Sequence, residues 1–136
     1  MDFSGQYELQ SQENAVPFMK AMGLSDEMIG KVKDLKSTTK IVQTGQDILV
    51  AIHTGSQVLV NEFTLGKEMN METPTGDTVK AMMKLEGDNK LVVTTAAITS
   101  VAELVEDRLI NTITFQGIVY KRISKKVIDP VSENGQ

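Results

Sequence analysis

Arg122 and Ser124 stand two residues apart in the β-prone run Lys121-Arg122-Ile123-Ser124. Side chains alternate faces along a strand, so a guanidinium and a hydroxyl share one face here. If that face is internal, a cation sits among apolar side chains. An unpaired charge there is costly, and it calls for an anionic ligand. If the face is external, Arg122 is a surface arginine beside Lys121, Lys125 and Lys126. Periodicity leaves both faces open. No other cluster suggests chemistry. His53 is the one histidine and there is no cysteine, so a metal site or thiolate catalysis is not expected. Glu86 and Asp88 flank Gly87 and read as turn residues. Neither a phosphate-binding loop nor a dinucleotide fingerprint is present, and no cofactor is expected.

The 136 residues suit one domain with one core, and 40% hydrophobic content argues against disorder. A net charge of -4 argues against general nucleic-acid binding. Met1-Asp2-Phe3-Ser4-Gly5-Gln6 lacks the basic and apolar regions of a signal peptide. No apolar run approaches the ~20 residues of a spanning helix. A soluble, cytoplasmic protein is the expectation. Eight methionines against 4% aromatic residues suggest either an ordinary core or an adaptable apolar cavity.

The elements that must position Arg122 follow from pattern. Phe18, Met19 and Met22 share a helical face, Pro17 restricts the start to about Asn14 or Ala15, and Gly23 suits the end. Ser25 is a candidate N-cap for a second helix, with Asp26 and Glu27 in its first turn and Met28, Ile29, Val32 and Leu35 at helical spacing. Together they predict a short helix-turn-helix over about 14–36. From Ser37 to about Val127, β-prone runs break at turn signals roughly every ten residues, the spacing of an antiparallel meander. One break, near Ala96 to Thr99, is inferred without a glycine. With a first strand over Gly5–Gln12, the count is about ten strands. Closure into an up-and-down barrel removes the exposed edges of so wide a sheet, and a two-sheet sandwich is the alternative. Asn111 with Ile113, Ser100 with Ala102, and Tyr120 with Arg122 and Ser124 each share a strand face, and together they suggest a wet cavity. Residues 1–127 form the expected domain, and 128–136 read as a flexible tail.

Several stretches, taken in order, resemble the intracellular lipid-binding proteins, the liver-type fatty-acid-binding branch in particular. They are Phe3-Ser4-Gly5-Gln6-Tyr7-Glu8-Leu9, Ser11-Gln12-Glu13-Asn14, Pro17-Phe18-Met19-Lys20-Ala21-Met22-Gly23-Leu24, Asn61-Glu62-Phe63-Thr64-Leu65-Gly66, Leu85-Glu86-Gly87-Asp88-Asn89-Lys90, and Ile118 through Lys125. The likeness covers about residues 1 to 127. It implies an all-β fold: a ten-stranded antiparallel barrel capped by two helices, monomeric, carrying long-chain fatty acids without catalysis. It also implies that Arg122 and Ser124 hold a carboxylate, helped by Thr39, with Asn111 as another polar cavity position. Lys31 and Ser56 correspond to positions near the portal. Ala102 replaces a second buried arginine of the muscle type, which leaves one strong internal cation. Phe18, Met22, Ile41, Ile52, Phe63, Met83, Leu91, Ile113 and Tyr120 are the candidates for contact with a ligand's tail, or else plain core. A bile-acid or sterol-like carrier is the rival reading. Transient contact with anionic membranes through Lys31, Lys33 and Lys36 is the remaining partner expectation.

Overall fold

The computed structural model describes residues 2–127. The tail expected over 128–136 lies outside the described residues. Ten strands form one antiparallel sheet: β1 (Gly5–Glu13), β2 (Ser37–Thr44), β3 (Asp47–Thr54), β4 (Gln57–Thr64), β5 (Glu68–Glu72), β6 (Thr78–Glu86), β7 (Lys90–Thr94), β8 (Ile98–Val105), β9 (Arg108–Phe115) and β10 (Ile118–Val127). Two helices, α1 (Ala15–Ala21) and α2 (Asp26–Val32), fall between β1 and β2. The order is β4-β3-β2-β1-β10-β9-β8-β7-β6-β5, so β1 joins β2 to β10 and the meander curls round on itself. The all-β barrel with its helical cap is as expected, and the break without a glycine falls between Thr94 and Ile98.

Turn chemistry explains the tight hairpins. Gln116 and Gly117 both have positive φ, 50° and 77°, the pairing that makes a two-residue turn match the twist of β9 and β10. Helix ends follow the same local logic. Ser25 Oγ accepts from the Met28 amide at 3.2 Å, and Asp26 and Glu27 occupy the positive end of α2. Phe18 anchors α1, its ring 5.0 Å from Tyr120 and edge-on to Phe115 at 6.5 Å.

The barrel wall is nearly closed. Among the described residues, no backbone ladder joins β4 to β5. Asn61 spans that seam instead: its Oδ1 accepts from the Glu72 amide at 2.8 Å and its Nδ2 donates to the Glu72 carbonyl at 3.0 Å. On its other side the β5–β6 hairpin is paired only in part. β6 meets β7 from Met82 to Glu86, which leaves Thr78–Ala81 without a ladder partner there. At the hairpin's base the Gly66 amide donates to the Met83 carbonyl at 2.8 Å.

A packed cluster of Phe3, Tyr7, Ile41, Ile48, Phe63, Ala81, Met83, Leu91, Leu104 and Leu109 fills the end away from the helices. Most of these residues lie beside the turns of that end. Burial of such apolar side chains contributes roughly 1.5–3 kcal/mol each.

Candidate ligand-binding site in the barrel lumen

Register resolves the question of faces. Tyr120 (5% exposed) and Ser124 (4%) are buried on β10, whereas Val119 and Lys125 are exposed, so the even-numbered residues face inward. Arg122 lies between them on that face. Directly opposed residues share a face in an antiparallel sheet, so the inner rows can be traced across strands. One runs Tyr120, Ile113, Ser100, Val93 and Met83. The next runs Gln12, Arg122, Asn111, Ala102 and Leu91. A third joins Leu9, Ser124, Leu109 and Leu104, toward the packed end. Ile52, Val93, Ser100, Ala102, Asn111, Ile113 and Arg122 face inward mid-wall and are only partly buried, with Val93 and Ala102 packed against the cluster and Asn111 and Arg122 the polar groups of the wall beyond it.

Arg122 is half-buried, and two of its guanidinium donors are taken by protein oxygens. Nη1 donates to the Tyr120 hydroxyl and Nη2 to Ser37 Oγ, both at 2.8 Å. Ser124, Thr39 and Asn111, grouped with Arg122 by the resemblance, are on the inner face but do not receive these bonds. The physical reason is the lean of a long side chain. Parity fixes a face but not a direction along the strand, and Arg122 leans toward the helical end, where Tyr120 stacks on Phe18. Its guanidinium carbon also lies 5.8 Å from the Tyr120 ring centroid.

Tyr120 donates in turn to Gln12 Oε1 at 2.6 Å, and Gln12 Nε2 donates to the Lys33 carbonyl at 3.1 Å, just past α2. Ser37 lies 3.4 Å from Thr54 Oγ1. Sequence reasoning missed both Ser37 and Gln12. Ser37 had a signal, since it shares parity with Thr39 and Ile41 on β2. Gln12 had none. A bulge between Leu9 and Ser11 shifts β1, so that Tyr7 faces inward before it and Gln12, opposite Arg122, after it.

The apolar candidates divide by height. Ile41, Phe63, Met83 and Leu91 belong to the packed cluster, while Ile52, Ile113, Tyr120, Phe18 and Met22 lie outside it. Thr39 (9% exposed) is buried one row above Ile41. Ser56 is exposed in the β3–β4 turn, near the helices, where the Gly55 amide reaches the Lys36 carbonyl at 3.4 Å. Lys31 is exposed and pairs with Glu27 at 3.2 Å, and His53 is exposed on the outer face. Two concavities lie at the incomplete seams. One, of about 490 Å³, is lined by Val79, Ala81, Met82 and Thr94 through Ala97, beside the unpaired part of β6. The other, of about 340 Å³, lies against Phe63, Thr64 and Met69 at the β4–β5 gap. Neither includes Arg122. Among the described residues, no three of His, Cys, Asp and Glu gather as metal ligands, and no helix is long and apolar enough to cross a membrane.

A ten-stranded meander barrel with a helical cap, an apolar floor and polar groups on its inner wall defines a lipid-binding barrel. The chain belongs to the lipocalin / cytosolic fatty-acid binding protein family, whose model matches residues 1–128. It is 56% identical to the liver fatty acid-binding protein of Sus scrofa over 93% of this chain and 100% of that one. It is 58% identical to a liver fatty acid-binding protein of Ambystoma mexicanum over 92% and 99%. Among solved structures, the zebrafish ileal bile acid-binding protein complexed with cholic acid is similar at a TM-score of 0.79. Its identity is 36%, over 92% of this chain and 98% of that one.

Proposed function

We propose that the protein is a cytoplasmic, monomeric, non-catalytic carrier of long-chain fatty acids, with the carboxylate held by Arg122 inside the barrel. The observation that carries this reading is the half-buried guanidinium on the inner wall. It makes two protein hydrogen bonds out of five N–H donors, above an apolar floor. A carboxylate can take the remaining donors in planar fashion, with Ser124, Thr39 and Asn111 as polar neighbours on the same wall. The similarity to liver fatty acid-binding proteins supports the ligand class. Transfer of the tail supplies most of the affinity, at ~0.8 kcal/mol per CH₂, and the head group sets orientation. Exposed Met28 and Leu35 beside Lys31, Lys33 and Lys36 support transient contact with anionic membranes.

The test is titration of the protein and of Arg122→Ala with palmitate. Hydrogen bonds to a charged group contribute about 1.5–3 kcal/mol, so the variant should bind about ten- to a hundredfold more weakly. Unchanged affinity with an unchanged bound geometry rejects the anchor. The second reading, a bile-acid carrier, is favoured by the likeness to the cholic acid complex. Cholate that displaces palmitate at comparable concentration supports it, and absence of displacement rejects it.

A further inference from the structure

Gln12 links the lumen to the helical cap through one carboxamide. Its Oε1 accepts the Tyr120 proton at 2.6 Å, which leaves the phenol oxygen's lone pairs for Arg122 Nη1 at 2.8 Å. Its Nε2 donates at 3.1 Å to the Lys33 carbonyl, the cap residue of α2, one of the carbonyls a helix leaves unpaired at its C-terminal end. Every hydrogen in the chain from Arg122 to Tyr120 to Gln12 to Lys33 has one donor and one acceptor, so each bond orients the next. The backbone is shaped for this arrangement. Without the bulge between Leu9 and Ser11, the alternation that turns Tyr7 inward would turn Gln12 outward, whereas the observed register sets it opposite Arg122. Bulges re-aim side chains near functional sites, and here the re-aimed side chain is the one that reaches both the guanidinium's partner and α2.

We propose that Gln12 is a positioning residue for the lumenal anion site: it fixes the Tyr120 hydroxyl, and through it the Arg122 guanidinium, and ties both to the end of α2. This rests on the reading of Arg122 as the carboxylate anchor. The consequence is selective. A carboxylate ligand depends on where the guanidinium points, and a neutral ligand with the same tail does not.

The experiment compares palmitate with methyl palmitate on the full chain and on Gln12→Ala, Gln12→Leu and Arg122→Ala, with amide exchange followed by NMR. Loss of one positioning hydrogen bond should weaken palmitate binding by about three- to tenfold and leave methyl palmitate within about twofold. The Leu variant keeps most of the side-chain volume and should show the same split. Amides of Lys33 and Leu35, which close the end of α2 on the carbonyls of Ile29 and Val32, should exchange faster in both Gln12 variants. Equal losses for acid and ester, or no loss for the acid, overturn the role of Gln12 provided Arg122→Ala still discriminates the two ligands. If Arg122→Ala itself does not discriminate, the anion site is refuted and this inference with it.

Discussion

Removal of the Asn61 side chain should loosen one wall of the barrel without altering the site. Asn61 makes two hydrogen bonds to the backbone of Glu72, at 2.8 and 3.0 Å, across a seam with no ladder. The same hairpin has no ladder partner for Thr78–Ala81 on its other side. The tip of β5–β6 is therefore held by Asn61 on one flank and by its own internal pairing. A net hydrogen bond contributes about 0.5–1.5 kcal/mol, and these lie near solvent, so the pair contributes about 1–2 kcal/mol. At 1.4 kcal/mol per decade, Asn61→Ala should raise the open population of the hairpin about five- to thirtyfold. The base, fixed by the Gly66–Met83 bond, should stay closed. Native-state hydrogen exchange follows this: the Glu72 amide, whose acceptor is Asn61 Oδ1, should lose protection by at least that factor, and Leu91 should not. Stopped-flow mixing with a fluorescent fatty acid should show association and dissociation both faster, with their ratio nearly constant. Exchange at Glu72 unchanged from wild type would refute the latch. A large change in affinity at constant exchange would show that Asn61 acts on ligand directly.

Two further outcomes follow from local contacts. Phe18→Ala removes a half-buried ring that packs on Tyr120 and meets Phe115 edge-on, and should cost roughly 2 kcal/mol in urea unfolding while the far-UV β signal persists; a loss below ~0.5 kcal/mol would mean that α1 docks by other contacts. Burial, with Asp2 nearby, pushes the Tyr7 phenol up to about 12, above its ordinary value of 10.0. A raised folded-state value means that the unfolded chain loses its proton first. The contribution is therefore intact below about pH 10, falls by about 1 kcal/mol near pH 11, and is gone above about pH 12. Tyr7→Phe, which also loses the bond to the Phe3 carbonyl, should be less stable at neutral pH yet flatter between pH 9.5 and 11; parallel curves would exclude Tyr7 as the titrating group.

Much of the wall was legible because strand periodicity and turn chemistry are local. The shared face of Arg122 and Ser124, the grouping of Tyr120 with them, and the helix ends at Ser25 and Pro17 all follow from spacing and residue type. Four things were not legible, each for a physical reason. Leu9-Gln10-Ser11-Gln12 carries no glycine or proline at the bulge, so the turn of Gln12 toward Arg122 was hidden. The gap beside β4 was also hidden, because Gln57–Thr64 alternates like a paired strand and whether it gains a ladder depends on a neighbour remote in sequence. Period two also gives a face but no height. The candidates for contact with a tail therefore mixed Ile41, Phe63, Met83 and Leu91, which pack the floor, with Ile52 and Ile113, which lie outside the packed cluster. Arg122's lean toward Tyr120 and Ser37 is a matter of side-chain reach, which spacing does not encode.

The pairing of β1 with β10 has a temporal consequence. Glu13 meets Lys121 and Gln6 meets Val127, so the two strands that complete the wall are the barrel's own first and last to leave a ribosome. Every other ladder but β1–β2 joins strands adjacent in sequence, and those hairpins can form as they emerge. The seam that brings Gln12 beside Arg122 must wait until β10 is free. During synthesis the nascent sheet therefore carries its apolar inner face uncovered, with β1 lacking one neighbour. Such an intermediate presents sticky surface and an unsatisfied edge. Closure by so distant a contact also belongs to the slow class of folding steps, because the loop entropy is lost before the pairing is gained. The strand that carries Arg122 is thus also the one that ends the nascent barrel's exposure to aggregation.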